Sequence, residues 1–208
     1  MVAGYNINSI CVRVAIIRYN DALATSSLLT QYNDRNSLQT YIRGLSLLNG
    51  GSSLNRALSE LRTNVFASTY VRSGATLIAV IVTDNLQPSS LITNEANLAK
   101  AQGITIVAVG ITTQGRVDTT TLFAVATRSG VTTYATTVSD YTSQLTGALS
   151  VTLPWRCLIA PVTTTPAPAP IGTCSFICIS IVIAAFPLMC SPQLYVGLHD
   201  TYIRLIRP

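Results

Sequence analysis

The chain has 208 residues, 49% of them apolar in the broad sense and only 10% charged. That excludes a disordered polymer, because such chains combine low hydrophobicity with high charge and cannot offset their ordering entropy. Thirteen basic residues against 8 acids give a net charge of +5, but they are scattered singly, so no basic run tracks phosphates and nucleic acid is not an expected partner. A lone histidine, His199, and five cysteines without paired CxxC spacing (Cys11, Cys157, Cys174, Cys178, Cys190) argue against imidazole catalysis and against a zinc site.

In chain order, Met1 to Asn8 lacks the basic start, apolar run and cleavage pattern of a secretory signal. Val12 to Tyr19 (VRVAIIRY) is β-branched and reads as a strand, and Thr25 to Tyr32 reads as a second, shorter strand paired to it. Asp34 caps a helix through Leu45, with Leu38, Tyr41, Ile42 and Leu45 at helical spacing. After the loop Asn49-Gly50-Gly51-Ser52-Ser53, a helix runs from Leu54 to about Ala67 with Leu54, Ala57, Leu58, Leu61 and Val65 on one face. Thr76 to Val82 (TLIAVIV) is a continuous apolar run, as expected of a strand covered on both faces near the centre of a parallel sheet. Thr83-Asp84-Asn85 stands at its C-terminal end. A helix over Leu91 to Ala101, a strand over Thr105 to Val109, a helix from Asp118 to about Thr127, a strand over Val131 to Ala135 and a helix over Tyr141 to Leu149 complete the series. The alternation predicts a doubly wound, mostly parallel α/β sheet flanked by helices.

Beyond Leu153 the composition changes. Residues 154–170 form a Thr/Pro-rich linker, and 171–190 are 20 uncharged, largely apolar residues, enough to cross a hydrocarbon core of roughly 30 Å as a helix. Residues 191–208 are then a short tail, with Arg204 and Arg207 on the cytoplasmic side if 171–190 spans a membrane.

Ligands of doubly wound sheets bind at the carboxyl ends of the strands. Asp84 follows the most apolar strand directly, and Ser52 lies in the glycine loop that leads into a helix. A hydroxyl and a carboxylate converging there are hard oxygen donors suited to Mg²⁺ or Ca²⁺. The bland alternative makes Ser52 a helix cap and Asp84 an acceptor of loop N–H groups.

The runs VRVAIIRYND (12–21), GGSSLNRAL (50–58), LIAVIVTDN (77–85) and AKAQGITIVAVGI (99–111) resemble, in order and spacing, the von Willebrand factor type A domain of matrilins, collagen VI and integrins. The resemblance implies a Rossmann-like fold over residues 1–153 and a metal-ion-dependent adhesion site. That site is built from a DxSxS motif after the first strand, a loop threonine, here matched by Ser52, and an aspartate, here matched by Asp84, with Asn85 in place of the usual glycine. The DxSxS element has no counterpart, because residues 1–11 are too few for the first strand and helix and no Asp precedes Asp21. The expectation is therefore an N-terminally truncated domain with an incomplete metal site, formed by Ser52 and Asp84 alone, that holds Mg²⁺ or Ca²⁺ only if the missing motif is supplied. The family's central strand would also be missing. Its two neighbours would then either close on each other or receive residues 1–11, unless the chain is an incomplete gene product. The resemblance further implies that Cys157, just after the domain, is a disulfide candidate whose partner precedes it.

Without GxGxxG, GxxxxGK[ST] or GxSxG, the chain carries no enzyme signature. The function expected is a non-enzymatic adhesion or extracellular-matrix module, secreted or at the cell surface, with a protein ligand such as collagen. The alternatives are a single-pass membrane-tethered receptor and a fragment without independent activity.

Overall fold

The computed structural model describes residues 7–8, 12–22, 24–25, 27–46, 48, 51–67, 69–111, 116–127, 132–135 and 177–184. Six strands form one sheet: β1 (Val12–Tyr19), β2 (Ala24–Thr25), β3 (Thr76–Thr83), β4 (Thr105–Ile111), β5 (Thr132–Ala135) and β6 (Ile177–Ala184), in the order β2-β1-β6-β3-β4-β5. Only β2 is antiparallel to its neighbour; every other pairing is parallel. The helices are α1 (Arg35–Arg43), α2 (Leu54–Glu60, continued by a π-helical turn over Leu61–Val65), α3 (Ser90–Ala101) and α4 (Thr119–Val125).

The core follows from the apolar runs. In β3 every residue from Ile78 to Thr83 is buried, as are Val12, Val14 to Ile17 and Tyr19 in β1 and Ile106 to Val109 in β4. These strands are covered on both faces, as parallel strands flanked by helices must be. Leu54, Ala57, Leu58, Leu61 and Val65 bury one stripe of α2 and its extension. The π-helical turn, where Phe66 N–H donates to the Leu61 carbonyl at 2.8 Å, leaves both Leu61 and Val65 buried. Asp34 and Asp118 act as the helix caps expected of them, accepting from Ser37 N–H at 2.9 Å and Thr121 N–H at 2.7 Å.

Three elements differ from the sequence expectation. The short strand expected over Thr25 to Tyr32 is only Ala24–Thr25, because the chain turns at Leu28 to Gln31 and Ser27 takes over the edge of β1. Ser27 Oγ accepts from Ile16 N–H at 2.8 Å, and Ser27 N–H donates to the Ile16 carbonyl at 3.1 Å. The helix expected over Leu54 to Ala67 changes hydrogen-bond pattern at Leu61. The third difference concerns the centre of the sheet.

The position that the resemblance assigns to an absent first strand is occupied by β6. Val12 to Tyr19 pair with Ile177 to Ala184, and Thr76 to Val82 pair with Ile177 to Ile183. The two central strands thus neither close on each other nor receive residues 1–11; Ile7 makes an isolated bridge to Val12. This also revises the reading of 171–190 as a membrane-crossing helix, since 177–184 form a strand, and the sheet draws on chain beyond residue 153. Among the described residues no helix is long and apolar enough to cross a membrane. The physical reason is that an uncharged, β-branched run suits any anhydrous setting, and here two parallel edges supply the backbone partners that a lone helix would supply to itself. The helix expected over Tyr141 to Leu149, the 154–170 linker, Cys157 and the 191–208 tail lie outside the described residues.

Candidate functional site

The C-terminal ends of β1 and β3 and the loop before α2 meet at one edge of the sheet. β1 delivers Tyr19 and, two residues on, Asp21. β3 delivers Thr83, Asp84 and Asn85, and the loop delivers Gly51 and Ser52. Gly51 N–H donates to Asp21 Oδ2 at 2.6 Å, and Arg56, from the first turn of α2, donates through Nη1 to the Asp21 carbonyl at 3.1 Å. Two hydroxyls converge on one acceptor: Thr83 Oγ1 donates to the Asn85 carbonyl at 2.9 Å and Ser52 Oγ to the same oxygen at 3.3 Å. The loop and the end of β3 are thereby joined.

Sequence reasoning singled out Ser52 and Asp84, and the structure brings both to this edge. Ser52 does not take the capping role offered for it. The N-cap of α2 is Ser53, which makes no side-chain cap bond, while Ser52 ties to Asn85. Asp84 is 8% exposed, and its Oδ1 is buried without a hydrogen-bond partner. Desolvation pushes its carboxyl above the usual carboxylate range, partly opposed by its own backbone N–H and by the positive charge of Arg116.

The residues that the sequence did not single out are Tyr19, Asp21 and Thr83. The Tyr19 side chain is fully buried, and its hydroxyl has no partner at hydrogen-bonding geometry, although the hydroxyls of Thr83 and Ser52 and the Asp84 carboxylate all act on it. Burial dominates and raises the phenol to about 12. The available signal was positional: Tyr19, Asp21 and Thr83 all stand at strand ends on the edge where ligands of such sheets bind.

The donor set is thin for a divalent cation. It offers two carboxylates, Asp84 and an Asp21 already bonded to Gly51, and neighbouring hydroxyls, where Ca²⁺ takes six to eight oxygens and Mg²⁺ a near-octahedral shell. Among the described residues no group of three or more His, Cys, Asp or Glu could hold a metal. The Asp21 carboxylate is turned to Gly51, the Ser52 proton to Asn85, and Arg116 already offsets part of the Asp84 charge. These residues do not complete a tight metal site.

Comparisons with known proteins agree with this architecture. The family model for the von Willebrand factor type A domain matches residues 1–150. The mouse collagen alpha-4(VI) chain is 28% identical over 117 residues, which is 55% of this chain and 5% of that one, so the chain spans only a small fraction of the length of this relative. Among solved structures, proximal thread matrix protein 1 from the mussel byssus superposes with a TM-score of 0.58 at 20% identity, over 67% of this chain and 36% of that one. A form of the same protein with a zinc-occupied MIDAS motif superposes at 0.62 and 19% identity, with the same coverage. At that identity the likeness concerns the fold. Parallel sheet, flanking helices and family match converge: the chain belongs to the von Willebrand factor type A domain family.

Proposed function

We propose that the chain is a non-enzymatic module of an extracellular matrix or cell-surface protein. It binds a protein ligand, a collagen or another matrix protein, at the sheet edge that carries Ser52, Asp84 and Asp21, without a tightly held divalent cation. The observation that supports this most directly is the Asp84 carboxylate, which sits at the ligand-binding edge with a buried, unpartnered oxygen and Arg116 acting on it instead of further carboxylates. A buried acceptor of this kind gains most when a partner's N–H or guanidinium reaches it. The collagen VI relative supports the extracellular matrix setting. A membrane-tethered receptor would need 177–184 to leave the sheet and join a helix, so the matrix reading is preferred.

The test is solid-phase binding of the full chain to a panel of fibrillar and network collagens and matrix glycoproteins, in Mg²⁺ and in EDTA. Saturable binding that persists in EDTA and weakens at least tenfold in Asp84→Ala supports the proposal. Binding that vanishes in EDTA, or no binding to any matrix protein, overturns it.

A further inference from the structure

β6 is last in sequence and central in space. It pairs along all eight residues with β1 and along seven with β3, yet 41 residues, 136–176, separate it from β5. β1 and β3 share no pairing of their own and meet only through β6. Both neighbours run parallel to it. The incoming segment carries no opposing charge, because no Asp, Glu, Lys or Arg occurs between Cys157 and His199.

We propose that the gap between β1 and β3 is a strand-receptor site, and that the partner it takes is the 177–184 segment of a second copy of this chain, exchanged reciprocally for its own. Every backbone bond that β6 makes to β1 and β3 forms identically whether the strand comes from the same chain or from another. What separates the two states is the tether, which holds a strand at an effective concentration of about millimolar for short flexible connections and less for longer ones. A 41-residue connection reaches roughly 135 Å at full extension, ample to bridge two domains. By contrast, β4 follows β3 through α3 and only short loops, and stays with its own sheet. Reciprocal exchange pairs two copies about a two-fold axis and fills the gap between β1 and β3 in both, so no receptor site is left over to extend the assembly beyond the dimer.

The register supplies a test in the full chain. Leu77 of β3 is the Cα partner of Cys178, and Arg13 of β1 is its partner on the other side. Neighbouring strands lie about 4.8 Å apart, within the Cα separation that a disulfide spans. Cys11, Cys157, Cys174 and Cys190 are replaced by Ser and Leu77→Cys is introduced. The chain is unfolded, then refolded and oxidised at about 1 µM and about 1 mM, concentrations chosen to bracket the tethered value.

The expected result is closure within one chain at the lower concentration. At the higher one, a reducible species of twice the mass forms, and tagged and untagged chains refolded together give a mixed species. Closure only within single chains at both concentrations overturns the exchange. Failure of the pair to close at either concentration, in a protein that still unfolds cooperatively, overturns the receptor site itself. Should Leu77→Cys fail to fold, Arg13→Cys repeats the measurement from the β1 side, with the same outcomes deciding.

Discussion

Gly51 and Asp21 are 30 positions apart and joined by one hydrogen bond of 2.6 Å, from the Gly51 N–H to the Asp21 carboxylate. The bond fixes the loop before α2 against the end of β1. It also depends on the missing side chain, because a Cβ at residue 51 would run into the Asp21 carboxylate. The left-handed region of backbone space plays no part, since only Gly74 and Gly103 adopt it among the described residues. Close approach is the reason for glycine here.

Gly51→Ala is therefore expected to swing Asp21 away and lose the bond, at a cost of about 1 kcal/mol, the net worth of a typical intramolecular hydrogen bond. Asp21→Ala should cost about the same. The double variant should cost no more than either single one, because both remove one interaction. Urea unfolding of the four proteins measures this, and additive losses would show that the two residues act separately.

Tyr19 gives the fold an alkaline limit. Its hydroxyl titrates at about 12 in the fold against 10.0 ordinarily, because burial disfavours the phenolate. Below pH 10 the group is neutral in both states and costs nothing. Above it the unfolded chain releases the proton while the folded chain keeps it, so stability falls as pH rises towards 12, by about 1.4 kcal/mol per pH unit. Tyr19→Phe removes an unpartnered buried hydroxyl and should be neutral or slightly stabilising at pH 7, with a shallower decline above pH 10. Denaturant unfolding at pH 8 to 11.5 distinguishes the two proteins, and parallel curves would contradict the account.

Strand and helix positions were legible in the sequence where one physical signal dominated. The buried run of β3 has no polar face to present to water, and Asp34 and Asp118 each precede a helix whose third residue's N–H they accept. Edges were less legible. Ser27 and Thr127 each extend the sheet with a hydroxyl, Thr127 Oγ1 accepting from Ile106 N–H at 2.7 Å while its own N–H donates to the Ile106 carbonyl at 3.0 Å. Nothing in local pattern marks a single hydroxyl residue as a strand substitute. β6 was misread for a deeper reason, because hydropathy measures transfer out of water and does not distinguish a bilayer from a sheet interior. Of the candidate site, Asp84 was legible through its strand-end position and Ser52 through the glycine loop before a helix, whereas the burial of Tyr19 depends on packing across the sheet.

Those two hydroxyl contacts carry a prediction of their own. Ser27→Ala and Thr127→Val each leave a strand N–H, of Ile16 or Ile106, without its acceptor, at a cost of about 1 to 3 kcal/mol. The sites are on opposite sides of the sheet, so the two losses should add. Thermal unfolding checks this, and a Ser27→Ala chain as stable as the parent would mean that Ile16 N–H finds another partner.

Asp84 should respond to acid in the opposite sense to a salt-bridged carboxylate. Its folded carboxyl titrates above the ordinary value of 3.8 because burial penalises the charge. Its neutral form is thus compatible with the fold below that value, and stability is lost as pH rises through the folded titration. Asp84→Asn is expected to stabilise the chain at pH 7, and denaturant unfolding across pH 3 to 7 should show the gain shrinking as pH falls through the folded titration towards 3.8. With Asp84 the one carboxylate at the edge not already bonded to the loop, calorimetry with Mg²⁺ and Mn²⁺ should show no submicromolar binding. Tight binding abolished by Asp84→Ala would show that the edge recruits donors beyond those described.

The central placement of β6 makes the strongest prediction about folding. Ending the chain at residue 155 removes the strand that pairs with both β1 and β3. It leaves two rows of backbone groups without partners beside the buried side chains of Val14 to Ile17 and Ile78 to Val82. Each buried group left unpaired costs about 1 to 3 kcal/mol, so a few of them match a whole domain's net stability of about 5 to 15 kcal/mol. Open apolar edges also recruit other chains. The shortened chain should lack a cooperative thermal transition and elute as large aggregates, while the full chain unfolds in one step. A monomeric 1–155 chain that melts cooperatively at the temperature of the full chain would mean that β1 and β3 close directly on each other. The sheet would then owe nothing to residues 177–184.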